Sequence, residues 1–291
     1  MIRIGGIMQK SKYYEEIALP RFPDGTLHLT LRYIDVSLLS GIAKEILISW
    51  NYEGDEEMAA ILFLTKHFQR LGYEVSLNMP YIPNARQDRV KKEEDVFTLK
   101  YFAEFINSLN FCKVYVLDPH SNVSMALIDN IVVESPESYC AKAIKKIYDE
   151  IDDSLLMAFY PDEGAMKRYS ENYGLEYAYA AKNRDWQTGK ILGLEVIGNA
   201  TAIKGRNIII IDDICSKGGT FYYSAKKLKE LGANKIFLFI THCEKTVFEG
   251  ELFKSGLIDK LFTTDSIFTS SAQEMAKSKG VADKIEVIPL V

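Results

Sequence analysis

"NIIIIDDICSKGGT", residues Asn207 to Thr220, runs four successive isoleucines into two adjacent aspartates and then, a few residues later, into two glycines and a threonine. The β-branched apolar run reads as a buried strand over 207–212. Asp212 and Asp213 then stand where a central strand leaves its sheet. Carboxylates placed there accept hydrogen bonds from vicinal hydroxyls, as a ribose presents, or approach a divalent cation. Gly218 and Gly219 permit a tight turn in which backbone N–H groups converge on the start of the next helix, an anion site by geometry and by dipole. A lone pair of aspartates would read as a solvated strand end. With "GGT" following at this spacing, the stretch reads as a ribose-phosphate cradle.

On both sides of this stretch, apolar β-branched runs alternate with segments of helical period. "EILISWN" (45–51) reads as a strand, and 56–72 as an amphipathic helix closed by Gly72. "EVSLNMPYI" (74–82) and "KVYVLD" (113–118) read as strands around a helix over 95–109. Near Pro136 the alternation restarts: helix 138–151, strand 155–160, helix 164–173 and strand 177–182, followed by an irregular stretch over 184–206. Strand 207–212, helix 220–231, strand 235–242 and two short strands flanking a helix at 271–279 complete the chain. Repeated βα units predict an α/β protein with parallel sheets covered by helices and sites at the carboxyl ends of strands. Two such sets predict two tandem parallel-sheet domains, 1–136 and 137–291.

The 291 residues are 47% hydrophobic and 26% charged, as expected of a protein with a sizeable core. A net charge of -5 gives no reason to expect nucleic acid. No run approaches the roughly 18 apolar residues of a membrane span, and the first residues lack the apolar core of a secretory signal. Cys112, Cys140, Cys215 and Cys243 show no CxxC spacing, so they read as reduced thiols of a cytoplasmic protein. His28, His67, His120 and His242 show no HxxxH pair of the kind that binds zinc on a helix.

The cradle resembles the loop shared by phosphoribosyltransferases and ribose-phosphate pyrophosphokinases (PRPP synthetases). The other strand ends separate the two. "MPYIPNARQDR" is similar to the ATP-binding stretch of PRPP synthetases, with "ARQDR" (Ala85 to Arg89) the most specific match. The motifs match in order from about residue 20 to 290, so the resemblance implies two phosphoribosyltransferase-like domains. By resemblance, Arg86 and Gln87 contact nucleotide phosphates, a task suited to a cation and an amide because phosphate oxygens only accept hydrogen bonds. "RFPDG" looks like the family's adenine loop, in which Phe22 would stack on the base and Asp24 recognise it from a neighbouring subunit. That implies a homo-oligomer, a dimer or hexamer. Thr26 replaces a usual glutamate there.

"VLDPH" resembles the strand end whose histidine, His120 here, lies against the ATP phosphates and magnesium. "YPDEGAMKR" resembles the turn with a metal-linked aspartate, Asp162. "AAKNR" puts Lys182 and Arg184 in the places of the catalytic lysine and arginine, with a mobile catalytic loop over roughly 185–205. The cradle itself implies Asp212 and Asp213 on the sugar hydroxyls, and Ser216, Lys217, Gly218, Gly219 and Thr220 on the phosphate.

The implied reaction moves the β,γ-diphosphoryl group of ATP, with Mg²⁺, onto the anomeric hydroxyl of a 5-phosphorylated ribose, releasing AMP. Two departures from the family stand out. "VKKEED" after "ARQDR" lacks the usual basic, serine-containing regulatory pattern, and Ser216-Lys217 replaces Asp-Thr before "GGT". The second swap removes an acid and adds a cation on a long stem, which suits a second phosphate. The acceptor is therefore ribose 5-phosphate, giving PRPP, or a 5′-extended ribose such as ADP-ribose, whose 1-diphosphate would serve NAD resynthesis. A plain phosphoribosyltransferase and a catalytically silent partner of a PRPP synthetase are the alternatives.

Overall fold

The computed structural model describes residues 1–6, 15–31, 45–151, 155–184 and 191–290. Within it the chain divides into two compact units, Met1–Ser135 and Pro136–Leu290.

The first unit contains β1 (Ile2–Gly6), β2 (Glu15–Glu16), β3 (Glu45–Trp50), α1 (Glu57–Arg70) and β4 (Glu74–Asn78), then α2 (Thr98–Ser108), β5 (Val114–Leu117), α3 (Asn122–Leu127) and β6 (Ile131–Glu134). Its sheet has the order β2-β1-β3-β4-β5-β6. Strands β3 to β6 are parallel, and β1 runs antiparallel to both neighbours. Helical spacing explains how α2 docks: Leu99, Phe102, Ala103 and Ile106 fall on one stripe, and all four are buried. Ala60, Ile61, Leu64 and Phe68 do the same for α1, whose end is turned by Gly72 at φ 86°.

The second unit contains α4 (Glu137–Glu150), β7 (Leu156–Tyr160), α5 (Glu163–Tyr169), β8 (Tyr177–Arg184) and β9 (Ile191–Gly198). After these come β10 (Asn207–Cys215), α6 (Gly219–Glu230), β11 (Ile236–Cys243), β12 (Lys260–Thr264), α7 (Ser270–Ser278) and β13 (Ile285–Ile288). The strand order is β13-β12-β11-β10-β7-β8-β9. The chain winds outward from β7 to β9, returns to the other side of β7, and winds outward again from β10 to β13. The reversal lies between β7 and β10, the position at which open α/β sheets bind ligands beyond their carboxyl strand ends.

Two expectations from the sequence are corrected here. Both sheets are predominantly parallel, as expected, but the stretch read as irregular over 184–206 contains β9, an edge strand antiparallel to β8. The strand beginning at Asn207 does not end at Asp212 but continues to Cys215. Its pairing with β7 stops at Ile210↔Phe159, while pairing with β11 carries on through Asp212↔Ile240 and Ile214↔His242 to Cys215↔Cys243. A one-sided ladder is enough to hold the β-branched Ile214 and its neighbours extended. The two aspartates thus project beyond the end of β7, paired on one side and open on the other.

Ile208 to Ile211 are at most 1% exposed, so this strand is the apolar floor beneath the aspartates. Replacing Ile210 with alanine should leave a cavity and cost about 3 kcal/mol of stability in this unit. Urea unfolding followed by tryptophan-independent far-UV circular dichroism checks it, and a loss below about 1 kcal/mol would contradict close packing here.

Candidate active site

Three acids and one guanidinium meet at the strand reversal. Asp213 is buried, and its Oδ2 is 3.1 Å from Nη1 of Arg168 on α5, while its Oδ1 accepts the Ile214 N–H at 2.8 Å. Asp212 accepts the Asp213 N–H through Oδ1 at 3.0 Å. Asp162 is the N-cap of α5, accepting the Ala165 N–H at 3.0 Å. A cap of this kind contributes about 1 kcal/mol to a helix end. Burial, the charge of Asp213 and that of Asp162 push the Asp212 carboxyl well above the usual carboxylate range. Helix α5 therefore does two things in one turn and a half. Its N-cap, Asp162, is an acid beside Asp212, and its last turn supplies the cation for Asp213.

The anion-binding turn lies next along the chain. Gly218 adopts φ 74°, left-handed backbone that glycine enters without strain, and caps α6 with no side-chain hydrogen bond. The Tyr222 N–H bonds to the Gly218 carbonyl at 2.9 Å, so α6 starts at once after the turn. A β-carbon on Gly219 would meet nothing within 4 Å, which leaves the mouth of the turn open. Gly219 and Thr220 are exposed. The first-turn amides and the helix dipole together suit a phosphate.

Residues 244–250, after β11, wall this turn. The Glu244 N–H bonds to the Cys215 carbonyl at 2.8 Å. The hydroxyls of Ser216 and Thr246 both donate to Oε2 of Glu244, at 2.9 and 3.0 Å. Lys217 points outward, with its ammonium 3.1 Å from Glu249 and both side chains exposed. Gly250 lies so close that a β-carbon there would stand 1.9 Å from the Lys217 carbonyl oxygen.

Lys182 and Arg184 lie on β8, in register with Leu194 and Ile191 of β9, with a register shift between Asn183 and Arg184. The side chains of both fall outside the description, and residues 185–190 of the expected catalytic loop lie outside the described residues.

In the first unit, "ARQDR" forms a turn after β4 with Asn84 at φ 63°. Arg86 and Gln87 are exposed. The Gln87 side-chain carbonyl accepts the Thr98 hydroxyl at 2.9 Å, which ties the turn to the start of α2. Asp88 is buried and grips Arg89 through two bonds, at 2.7 and 3.0 Å. The hydrogen bond from Arg89, with Ser121 and His120 nearby, holds the Asp88 carboxyl below its usual range. "ARQDR" and the half-buried His120 after β5 are thus brought together. In "VKKEED", Asp95 accepts the N–H groups of Lys91 and Lys92 at 2.9 and 3.0 Å, closing the turn on itself.

The "RFPDG" loop is a small hairpin. Phe22 N–H bonds to the Thr26 carbonyl at 2.8 Å, and Asp24 accepts both the hydroxyl (2.7 Å) and the N–H (3.0 Å) of Thr26. Those bonds lower the Asp24 carboxyl below its usual range, the hydroxyl first. Phe22 is half exposed and stacks on His28, with ring centroids 4.3 Å apart.

Among the described residues no group of three or more His, Cys, Asp or Glu side chains is arranged to hold a metal ion. Separate carboxylates at strand ends instead fit a magnesium ion carried in on phosphate oxygens, the usual habit of that ion.

Residues 189–288 match the family described as phosphoribosyl synthetase-associated domain. The ribose-phosphate pyrophosphokinase of Thermococcus kodakarensis is 31% identical over 262 residues, which cover 87% of this chain and 86% of the relative. The chain belongs to the ribose-phosphate pyrophosphokinase family. The enzyme of the same name from Pyrococcus abyssi is 28% identical over 281 residues, 94% of this chain and 87% of that one. The solved phosphoribosylpyrophosphate synthetase of Mycobacterium smegmatis has the same fold, with a TM-score of 0.70 over 94% of this chain and 86% of that chain at 17% identity.

For a member of this family, the sequence reading overlooked Arg168, Glu244, Asp88 and His28. Arg168 was out of reach: six residues after Asp162 it stands roughly 120° around the helix, and its partner Asp213 lies 45 residues further along the chain. Nothing in the sequence pattern linked Glu244 to Ser216, 28 residues earlier.

The acid cluster has a measurable cost. The folded chain holds the Asp212 proton more tightly than the unfolded one, so this residue's contribution is favourable in acid and is lost as pH rises from about 4. Asp212→Asn cannot ionise, and should raise stability more at about pH 7.5 than at about pH 4. Urea midpoints at the two pH values test this; an equal change at both would mean that its neighbours do not disfavour the charge.

Proposed function

We propose that this chain is an ATP-dependent diphosphokinase acting on a 5-phosphorylated ribose. The anomeric 1-hydroxyl attacks the β-phosphorus of ATP in line and loses its proton, the new O–P bond forms, the bond to the α-phosphate breaks, and AMP leaves. The observation that carries the reading is the junction at Asp212–Thr220: two carboxylates standing beyond the end of β7, followed directly by an open helix N-terminus. The carboxylates suit the sugar hydroxyls and the first-turn amides of α6 suit the 5′-phosphate. Family membership supports the same reaction class.

In this reading Arg86, Gln87 and His120 bind the nucleotide phosphates, and Phe22 and Asp24 bind adenine. Lys182 and Arg184 stabilise charge on the transferring and leaving groups. Little covalent work falls to the protein, so positioning and charge stabilisation carry the rate. Magnesium, with His120 and Asp162 as its protein neighbours, would neutralise triphosphate charge. Ribose 5-phosphate, giving PRPP, is the acceptor that the family supports. A second reading, an extended acceptor such as ADP-ribose, is supported by the open mouth at Gly219 and by Lys217. Its exposed pair with Glu249 is worth at most about 1 kcal/mol, so an anion could displace it.

Incubation with Mg-ATP and each acceptor should release AMP rather than ADP. A plain phosphoribosyltransferase would not cleave ATP, and a silent partner would turn over neither acceptor. Lys182→Ala should lower kcat by roughly 10²-fold with a smaller change in apparent ATP affinity. Near-normal turnover in the folded variant would remove this lysine from the mechanism.

We also propose that the active species is a cytoplasmic homo-oligomer in which Phe22 and Asp24 serve a neighbouring subunit. Phe22→Ala should then weaken ATP binding by roughly tenfold, the order of one aromatic stacking contact. Full activity of a sedimenting monomer would sink the idea.

A further inference from the structure

The acid at the wall of the phosphate turn has no part in the reaction just described. Glu244 is tied to the turn twice, by its own N–H to the Cys215 carbonyl and by the Ser216 hydroxyl that donates to its carboxylate. Thr246 fixes the same carboxylate oxygen from the other side. A serine hydroxyl has one hydrogen. Given to Glu244, it is not available to a phosphate oxygen. The turn therefore loses one donor and gains a negative charge one hydrogen bond from its first residue. The close approach of Gly250 to the Lys217 carbonyl keeps this wall in place.

A terminal phosphate monoester and a phosphate inside a diphosphate differ in what such a wall does to them. The monoester has a second ionisation near pH 6 and carries nearly two charges at neutral pH. A phosphate that is an ester to the ribose on one side and an anhydride to a second phosphate on the other carries one. A fixed carboxylate repels the first more strongly than the second, and the missing donor matters most to the oxygen that bears the extra charge.

We propose that Glu244 is a specificity-determining residue that makes this turn prefer a 5-phosphoribose whose phosphate is joined to a second phosphate over one whose phosphate is terminal. The inference rests on the diphosphoryl-transfer reading for its biological meaning, but not for its test. Lys217, beside the turn and held by a weak exposed pair, then supplies the cation for the second phosphate.

The test is calorimetric binding of ribose 5-phosphate and of ADP-ribose to the full chain, without ATP. The wild type should bind ADP-ribose more tightly. Glu244→Gln keeps the shape and still accepts the Ser216 hydrogen, and should shift the affinity ratio toward ribose 5-phosphate by about tenfold, as expected for one nearby charge in a partly solvated site. Thr246→Val leaves the charge in place and should move the ratio by less than about twofold.

A second readout needs no variant. Wild-type affinity for ribose 5-phosphate, relative to ADP-ribose, should rise as pH falls through about 6 and its phosphate sheds the second charge. Preference for ribose 5-phosphate in the wild type, a ratio unmoved by Glu244→Gln, or a relative affinity that falls with acid would each overturn the proposal. Failure to release AMP with either acceptor would overturn only the diphosphoryl-transfer reading.

Discussion

Two adjacent carboxylates at the end of a strand of buried isoleucines need a counter-charge, and Arg168 supplies it to Asp213 at 3.1 Å. Without it, both acids would face each other above an apolar floor, with Asp162 adding a third. Such a cluster is costly in a medium less polar than water. The strand order explains why the cation can reach. The helix that follows β7 and the strand β10 lie on either side of the sheet's reversal, so α5 presents its two ends to the aspartates. One end carries a capping acid and the other a guanidinium. The arrangement gives one aspartate a cation partner while the next holds its proton more tightly, so neighbouring, chemically identical residues acquire different surroundings.

The phosphate turn is built by a different rule. Its shape depends on backbone rather than on side chains. Gly218 takes a left-handed conformation, with Leu252 within 3.1 Å of where a β-carbon would sit, and Gly250 leaves no room for one against Lys217. Both glycines are required for close approach or conformation, and both come from segments that meet only because β10 and β11 run in register to Cys215↔Cys243. The extra length of β10 on its β11 side is therefore what brings the wall to the turn.

In the first unit a buried acid, Asp88, acts in the same way. Asp88 gathers Arg89, Ser121 and His120 around one carboxylate, which links the turn after β4 to the turn after β5. The exposed Phe22 has a partner of its own in His28, which gives an aromatic platform its footing without burying its outer face.

Much of the architecture was legible along the chain. Apolar runs and helical stripes are local patterns, so the alternation of strands and helices, the restart near Pro136 and the turn at Gly218 all followed from neighbouring residues. The family motifs were legible for the same reason, since "ARQDR" and "IIIIDDICSKGGT" are contiguous. What escaped was whatever depends on partners distant in sequence. Strand β9, with Gly193 inside it, is held by pairing with β8 rather than by its own propensity. The extension of β10 past Asp213 depends on β11, and the contact of Ser216 with Glu244 joins two strand ends. Sequence alone determined most of the strands and helices and which residue types stand at their ends, because those follow from local periodicity and chemistry. Only the tertiary structure decided which of two equal aspartates meets a cation and which acid faces the phosphate turn, because those depend on register and strand order across the sheet.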